Sequence, residues 1–278
     1  MSTGPAGPDV QLLERLTAVV PVRNGEALLP GCLDALRRNG VQDIVVVDGR
    51  SSDRSREIAL DYGAVVVSDE GHGLPYARTL GASTATTDLV VLVDVDVVFP
   101  TGGVAALVRE FLEGGYAALQ AGQESIGGPG YWGRALAQHH RTGLSRRWFG
   151  LNATVFRREE LLATGFDANF PSGEDIELRW RLRDTGRAAG LSQTVVVQHR
   201  FAGDDFAFAK DQFLMDGVGL GLMVRHKGLR GLRLALLPAA AAVRGVALSS
   251  ARREGRWIPY YGAFAWWNYV GMARGLRT

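Results

Sequence analysis

The chain has 278 residues, long enough to bury a large core without disulfide or metal staples, and its 46% hydrophobic and 22% charged content excludes a disordered or fibrous protein. A single cysteine, Cys32, excludes an internal disulfide and any cysteine-paired zinc or iron–sulfur centre, and fits a reducing compartment. The formal net charge of +2 hides a split: Arg225 to Thr278 carries ten Arg and Lys against one acid, Glu254, so this stretch is +9 and the rest of the chain −7.

Taken in chain order, Leu16 to Val22 is a β-branched run, and Leu28, Leu29, Cys32, Leu33 and Leu36 follow at helical spacing up to Gly40, which suits a left-handed cap. The alternation continues with a strand over Val41 to Asp48, a helix over Asp53 to Tyr62, a strand over Ala64 to Ser68 and a helix over Leu74 to Ser83. A strand over Leu89 to Asp94, a helix over Val104 to Glu113 and a strand over Tyr116 to Gly122 complete it. Such alternation predicts βαβ units, and strands that read as unbroken apolar runs predict a parallel sheet covered on both faces. After a glycine-rich loop within Gly127 to Gly150 come a helix over Tyr131 to Arg141 and an aromatic patch at Trp148 and Phe149. They are followed by a strand over Asn152 to Phe156, helices over Arg158 to Ala163 and Glu174 to Asp184, and a strand over Thr194 to His199. Beyond Asp204 the chain reads as helical.

Two strands end in carboxylates, Asp48 and Asp94, where ligands of open α/β sheets bind. Asp94 and Asp96 are two apart on extended backbone, so their carboxylates point to one side. Like charges there call for a cation, and Mg²⁺ or Mn²⁺ completes its shell with substrate phosphates, so the pair implies a phosphorylated ligand; a surface turn is the plainer reading. Asp48 opens Gly49-Arg50-Ser51-Ser52-Asp53, where Ser52 or Asp53 can cap the next helix; Asp48 itself lies too early to cap and suits the N–H of a bound base.

Val20-Pro21-Val22-Arg23-Asn24, Val47-Asp48-Gly49-Arg50-Ser51-Ser52-Asp53, Ala77-Arg78-Thr79-Leu80-Gly81, Asp94-Val95-Asp96, Gly173-Glu174-Asp175 and His199 occur in this order over Leu16 to Phe201. This set resembles the motifs of the family 2 glycosyltransferases. The resemblance implies the GT-A fold: an α/β, Rossmann-like, mostly parallel sheet flanked by helices, here with a helical C-terminal extension. It implies a nucleotide-diphosphate sugar as donor, held at the base by Pro21, Val22, Arg23, Asn24 and Asp48, with Arg78 against the nucleotide. It further implies a divalent metal, Mn²⁺ or Mg²⁺, at Asp96, with Asp94 on the ribose and the metal's water shell and His199 completing the site. Asp175, beside Glu174, matches the general base. The family's common Gly is Arg50 here and its Asn is Thr79; the first leaves the turn after Asp48 open and adds a cation near the phosphates. Glu177-Leu178-Arg179-Trp180 lacks the Gln-x-x-Arg-Trp of processive synthases, so transfer is expected to be non-processive, of a hexosyl or N-acetylhexosaminyl group.

The expected division is a flexible N-terminus over 1–15, a catalytic domain over 16–224 and a basic, aromatic helical extension over 225–278. Leu232 to Leu248 is interrupted by Arg233, Pro238 and Arg244, too short and charged to span a bilayer. Interleaved Arg and Leu followed by Trp257, Tyr260, Tyr261, Trp266, Trp267 and Tyr269 have instead the composition of an interfacial helix on an anionic membrane. A helical cap on the core or a homo-oligomer contact competes with it. Nucleic acid is disfavoured, since no recognised module is present. Residues 1–9 lack the basic start and apolar run of a signal peptide, so the expected place is the cytoplasm, peripheral on the inner face of the membrane. The acceptor, a glycan, a lipid-linked molecule or a small molecule, is not readable. Two other classes remain open: a noncatalytic nucleotide-sugar-binding or membrane-docking protein, and a sugar-phosphate nucleotidyltransferase, which would need a lysine-bearing glycine-rich loop near the first strand.

Overall fold

The computed structural model describes residues 8–143 and 148–278. It divides into two compact units, one of Met1–Gln123, Phe149–Phe166 and Arg179–Arg200, the other of Glu124–Trp148, Asp167–Leu178 and Phe201–Thr278. The expected boundary at 224/225 therefore does not hold, and the second unit draws on three stretches of chain. Of the N-terminus expected to be flexible, residues 1–7 lie outside the described residues, whereas Pro8–Leu13 forms a helix, α1, whose Asp9 pairs with Arg109.

In the first unit β1 (Leu16–Val22), β2 (Asp43–Asp48), β3 (Val65–Ser68) and β4 (Leu89–Val93) pair in parallel, with β1 between β2 and β4. Every residue of β1 and β4 is buried, which explains apolar runs in place of alternation. The short β5 (Val97–Val98), β6 (Ala118–Ile126), β7 (Ala153–Arg157) and β8 (Ala189–Arg200) complete the order β3-β2-β1-β4-β7-β6-β8-β5. β7 runs antiparallel to β4 and to β6, and β5 antiparallel to β8, so the expected parallel continuation into the strand at 116–122 is corrected. Strand–helix alternation carries no sign of direction once a later strand inserts beside β4.

Helices α2 (Leu29–Arg38), α3 (Ser55–Asp61), α4 (Leu74–Thr84), α5 (Gly103–Gly114) and α7 (Arg158–Thr164) connect these strands. α2 buries Leu29, Cys32, Leu33 and Leu36 on one face and ends as expected at Gly40, with φ +84°. α4 lies on the sheet through Gly81, where a Cβ would come within 2.2 Å of Val19 Cγ1 and 3.0 Å of Val47 Cγ2. That close approach sets the depth at which Arg78, one turn earlier, enters the core.

The second unit holds α6 (Tyr131–Thr142), the first turn of α8 (Glu174–Asp184), α9 (Phe206–Leu232), α10 (Leu237–Ala251) and α11 (Ile258–Gly275). Its core is Ala135, Leu136, Ala209, Phe213, Trp257, Tyr260 and Tyr261. α9 and α11 meet backbone to backbone: a Cβ on Gly217 would lie 2.1 Å from the Asn268 carbonyl, and one on Gly275 2.3 Å from that of Val218. The helical run Phe206–Ala251 is long and apolar enough to cross a membrane by length and composition, contrary to expectation. It is not one rod, because Gly228 (φ 53°, ψ −134°) breaks α9 and a 3₁₀ turn over Arg233–Leu236 precedes α10.

Two predictions follow from this packing. Gly81→Ala should cost about 1–3 kcal/mol by overpacking against Val19, measured by urea unfolding. His139, ringed by Tyr260, Tyr261 and Phe264, has its imidazole pushed down to about 4 by burial and by the Arg244 charge. The folded form thus binds the proton more weakly than the unfolded chain. Its stabilising contribution is complete above the unfolded value near 6.5 and fades as pH falls toward 4, by on the order of 3 kcal/mol. His139→Phe should flatten this part of the pH dependence in unfolding titrations.

Candidate active site

The carboxyl ends of β1 and β2 are laced together. Val22 pairs in register with Asp48, and the Gly49 N–H donates to the Val22 carbonyl at 2.8 Å. Pro21 and Val22 are buried, whereas Arg23 and Asn24 are exposed at the mouth. Asn24, held at φ 52°, accepts from the Ser52 N–H at 2.8 Å and donates its own N–H to Ser51 Oγ at 2.9 Å. Asp53 takes the Ser55 N–H at 3.0 Å and the Glu26 N–H at 2.9 Å, fastening the neighbouring loop; the N-cap of α3 is Arg54, which makes no side-chain cap, so the expected cap by Ser52 or Asp53 is corrected. Asp48 is buried and accepts from the Ser51 N–H at 3.2 Å, closing its own turn. Arg50 adopts φ 59°, the left-handed conformation in which a glycine is unstrained, and its guanidinium turns to Glu70 at 3.3 Å on the surface. The expected extra cation is therefore engaged with that carboxylate.

One strand further, Asp94 and Asp96 follow β4. The Asp94 N–H bonds the carbonyl of Asn152, the residue just before β7, and the Arg200 N–H bonds the Asp96 carbonyl. Arg78, almost wholly buried, donates from Nη2 to Asp94 Oδ1 at 2.9 Å; it reaches the site through Asp94 instead of presenting an open surface. Burial raises the Asp94 carboxyl above its ordinary range; Arg78 opposes this, and the like charge of Asp96 adds to it. Asp96 Oδ2 lies 3.1 Å from His199 Nε2. Burial by itself would lower the His199 imidazole, but the hydrogen bond and charge of Asp96, with Asp94 behind it, hold it above the usual value.

Among the described residues no cluster of three or more His, Cys, Asp or Glu side chains fit to hold a metal occurs, and Arg78 occupies Asp94 Oδ1. What remains is a two-residue site with one telling atom: Asp96 Oδ1 is buried and has no hydrogen-bond partner among the described residues. A desolvated carboxylate oxygen of this kind is costly unless a cation meets it. An Asp–His pair suits a hard divalent ion that takes one or two protein ligands and fills its shell from phosphates and water.

Glu174 and Asp175 belong to the second unit, in the first turn of α8. Glu174 is buried, and Asp175 Oδ2 accepts from Trp148 Nε1 at 2.8 Å. Within that unit Lys227 pairs with the buried Glu177 at 2.9 Å and stands over the Phe170 ring. Sequence reading missed two groups: Arg200, whose Nη2 donates to the Leu28 carbonyl beneath the start of α2, and the Trp148 indole. Adjacency to His199 was the only available signal for Arg200.

The model of the family described as Glycosyl transferase family 2 matches residues 17–170, more than half of the chain. The chain belongs to this family. A pre-mycofactocin glycosyltransferase of Mycobacterium tuberculosis (strain CDC 1551 / Oshkosh) is 28% identical over 213 residues, 71% of this chain and 44% of the relative. A 4,4'-diaponeurosporenoate glycosyltransferase of Staphylococcus haemolyticus is 34% identical over 92 residues, 30% of this chain and 24% of the relative. The chain thus spans less than half the length of these curated relatives. Among solved structures, a mannosyltransferase from Pyrobaculum calidifontis in complex with GDP-Man and Mn²⁺ matches with a TM-score of 0.65 at 18% identity, over 95% of this chain and 87% of that one. A glucosyl-3-phosphoglycerate synthase from Mycobacterium tuberculosis, in complex with Mn²⁺, UDP-Glc and phosphoglyceric acid, matches with a TM-score of 0.55 at 20% identity, over 80% and 85%. At these identities the likeness establishes the fold: a mixed, mostly parallel sheet flanked by helices, of GT-A type.

The Arg78–Asp94 pair gives a direct test. Arg78→Met should destabilise by about 3 kcal/mol through the carboxylate it leaves inside, and a cycle with Asp94→Asn should return a coupling of about 1–3 kcal/mol by urea unfolding.

Proposed function

We propose that the protein transfers a sugar from a nucleotide-diphosphate donor to an acceptor hydroxyl, in a metal-dependent, inverting and non-processive reaction. The observation that carries this reading is the buried, unmet Asp96 Oδ1 beside His199, next to an Asp94 already neutralised by Arg78. The donors and Mn²⁺ held by the two solved structures above support the same class of ligand. Asp96 and His199 would hold the divalent metal, with Asp94 on the ribose and water shell; bound there, the ion neutralises the charge that grows on the leaving diphosphate. Pro21, Val22, Arg23, Asn24 and Asp48 receive the base, Asp48 as acceptor for a base N–H. Arg78 fixes the Asp94 carboxylate in one orientation. Asp175 takes the proton of the acceptor hydroxyl while the acceptor oxygen attacks the anomeric carbon opposite the diphosphate. The Trp148 indole N–H sets the rotation of that carboxylate.

The protein acts on the inner face of an anionic membrane, from the cytoplasm. The apolar window within Phe206–Ala251 is only 17% buried, which argues against a soluble core helix. Leu229 (89% exposed), Leu236 (68%) and Val243 (70%) stand in water, interleaved with Arg230, Arg233 and Arg244. Leucine side chains for the acyl boundary and arginines for phosphate headgroups form the composition of a helix lying in the interface. α10, with 15 residues, extends about 22 Å, short of the roughly 30 Å hydrocarbon layer.

Asp96→Ala should abolish nucleoside diphosphate release and Mn²⁺-dependent donor binding, and a fully active variant refutes the assignment. Asp175→Asn should keep donor binding, measured by calorimetry, while transfer falls by about two orders of magnitude or more. His199→Gln should weaken Mn²⁺ binding about tenfold or more, read by electron paramagnetic resonance. Sedimentation with phosphatidylglycerol vesicles should be strong at low salt and weaken at high salt, and Leu236→Asp with Val243→Asp should reduce it at both. No sedimentation at low salt removes the membrane assignment.

A further inference from the structure

The part of α8 that belongs to the first unit, from Arg179 on, borders a cavity away from the strand ends described so far. Arg179, Trp180, Arg183, Arg187, Ala188 and Ala189 line a recess of about 420 Å³, with no acidic side chain among them. Ala188 and Ala189 place it at the start of β8, where the Ala188 carbonyl takes the N–H of Ala117, just before β6. His199 stands ten residues further along the same strand, about 30 Å away on extended backbone. The recess therefore lies at the opposite end of the sheet from Asp94 and Asp96.

The arginines around it are held in two ways. Arg183 lies over the Trp180 ring at 5.8 Å and Arg179 over the Phe149 ring at 5.9 Å, and neither forms an ion pair among the described residues. An aromatic face orders a guanidinium while leaving its N–H edge for an oxyanion. Arg187 is fastened otherwise: Nη1 donates to Thr164 Oγ1 at 3.0 Å, and Nη2 pairs with Glu160. Glu160 also faces Arg157 and so has no charge to spare for Arg179 or Arg183. Arg181, between those two on the helix, is spent on the Thr164 and Gly165 carbonyls. Three lining cations against one engaged acid leave two positive charges uncompensated at the recess.

We propose that this recess is a second anion site, separate from the donor site, and that it takes a phosphomonoester dianion. Arg179 and Arg183 are four apart on α8 and share a face, so their N–H edges can meet one tetrahedral group. A phosphomonoester carries about −1.5 to −2 near neutral pH and presents three acceptor oxygens, which matches two free guanidinium groups in charge and in donor geometry. A phosphodiester or a carboxylate supplies one negative charge and leaves the second arginine unpaired. Arg187, held in place by Thr164 and Glu160, adds a fixed cationic wall. The monoester comes from a soluble phosphorylated molecule or from a lipid headgroup of the same chemistry. The site acts independently of the metal and of Asp175.

The test is a calorimetric titration of the full chain with inorganic phosphate at about pH 7.5, where it is mostly dianionic, at constant ionic strength and in EDTA so that no metal draws phosphate to Asp96. Phosphate should bind. Arg179→Gln and Arg183→Gln should each raise its Kd about tenfold or more, Arg183→Lys should raise it less, and Asp96→Ala should leave it unchanged. Urea unfolding midpoints show that each variant is folded. Displacement of phosphate by glucose 6-phosphate assigns a soluble monoester, and displacement by phosphatidic acid vesicles alone assigns a lipid headgroup. The proposal is overturned if phosphate does not bind, if the folded arginine variants bind it as the wild type does, or if Asp96→Ala is what removes binding. It is equally overturned if acetate or dimethyl phosphate binds as tightly, or if neither glucose 6-phosphate nor phosphatidic acid displaces phosphate.

Discussion

Two carboxylates at the end of a wholly apolar strand are the constraint around which the first unit is arranged. β4 brings Asp94 and Asp96 out of a core in which every preceding residue is buried, and each needs compensation of a different kind. Asp94 receives it from Arg78, a charged side chain driven into the core by a helix that Gly81 lets sit close on β1 and β2. Asp96 receives part of it from His199 on β8, which pairs in register with Val97. One oxygen of Asp96, Oδ1, stays buried without a hydrogen-bond partner among the described residues after this compensation.

The second unit solves another problem, fixing an acid on a loop. Its helices α9 and α11 touch through glycines, giving a seam in which neither helix can shift without a clash against a carbonyl. Ser172 and Gly173 dock on α9 at Met215 and Gly219, which fastens the turn that opens α8 to that helix. The exposed leucines and valine of α9 and α10 lie in the same unit, on segments outside its aromatic core.

Much of the geometry at the carboxyl ends of β1 and β2 was legible because it depends on residues close together in sequence. Gly40 ends its helix as local rules require, and Asp48 and Asp53 act within a few residues of themselves. Arg50 shows where such rules stop. A long cationic side chain in a turn reads as a charge offered to the ligand, but the backbone takes the glycine-like conformation and the guanidinium finds Glu70, twenty residues on. The Arg78–Asp94 pair was hidden for a similar reason, since nothing near Asp94 in sequence reveals that Arg78 arrives beside it. The antiparallel β6 and β7 were equally hidden, because apolar periodicity fixes burial and not strand direction.

By itself the sequence determined the strand–helix alternation, the two carboxylate-ended strands, the charge split of the tail and the ordered motifs of a family 2 glycosyltransferase. These are properties of neighbouring residues, set by periodicity, capping and composition. The tertiary structure alone decided which carboxylate Arg78 pairs with, which oxygen of Asp96 lacks a hydrogen bond among the described residues, and that Ser172 is fastened to Met215 on α9. Those outcomes join residues 16 to more than 100 positions apart, and only the packing of helices on the sheet, or of glycine seams on each other, brings them within a few ångströms.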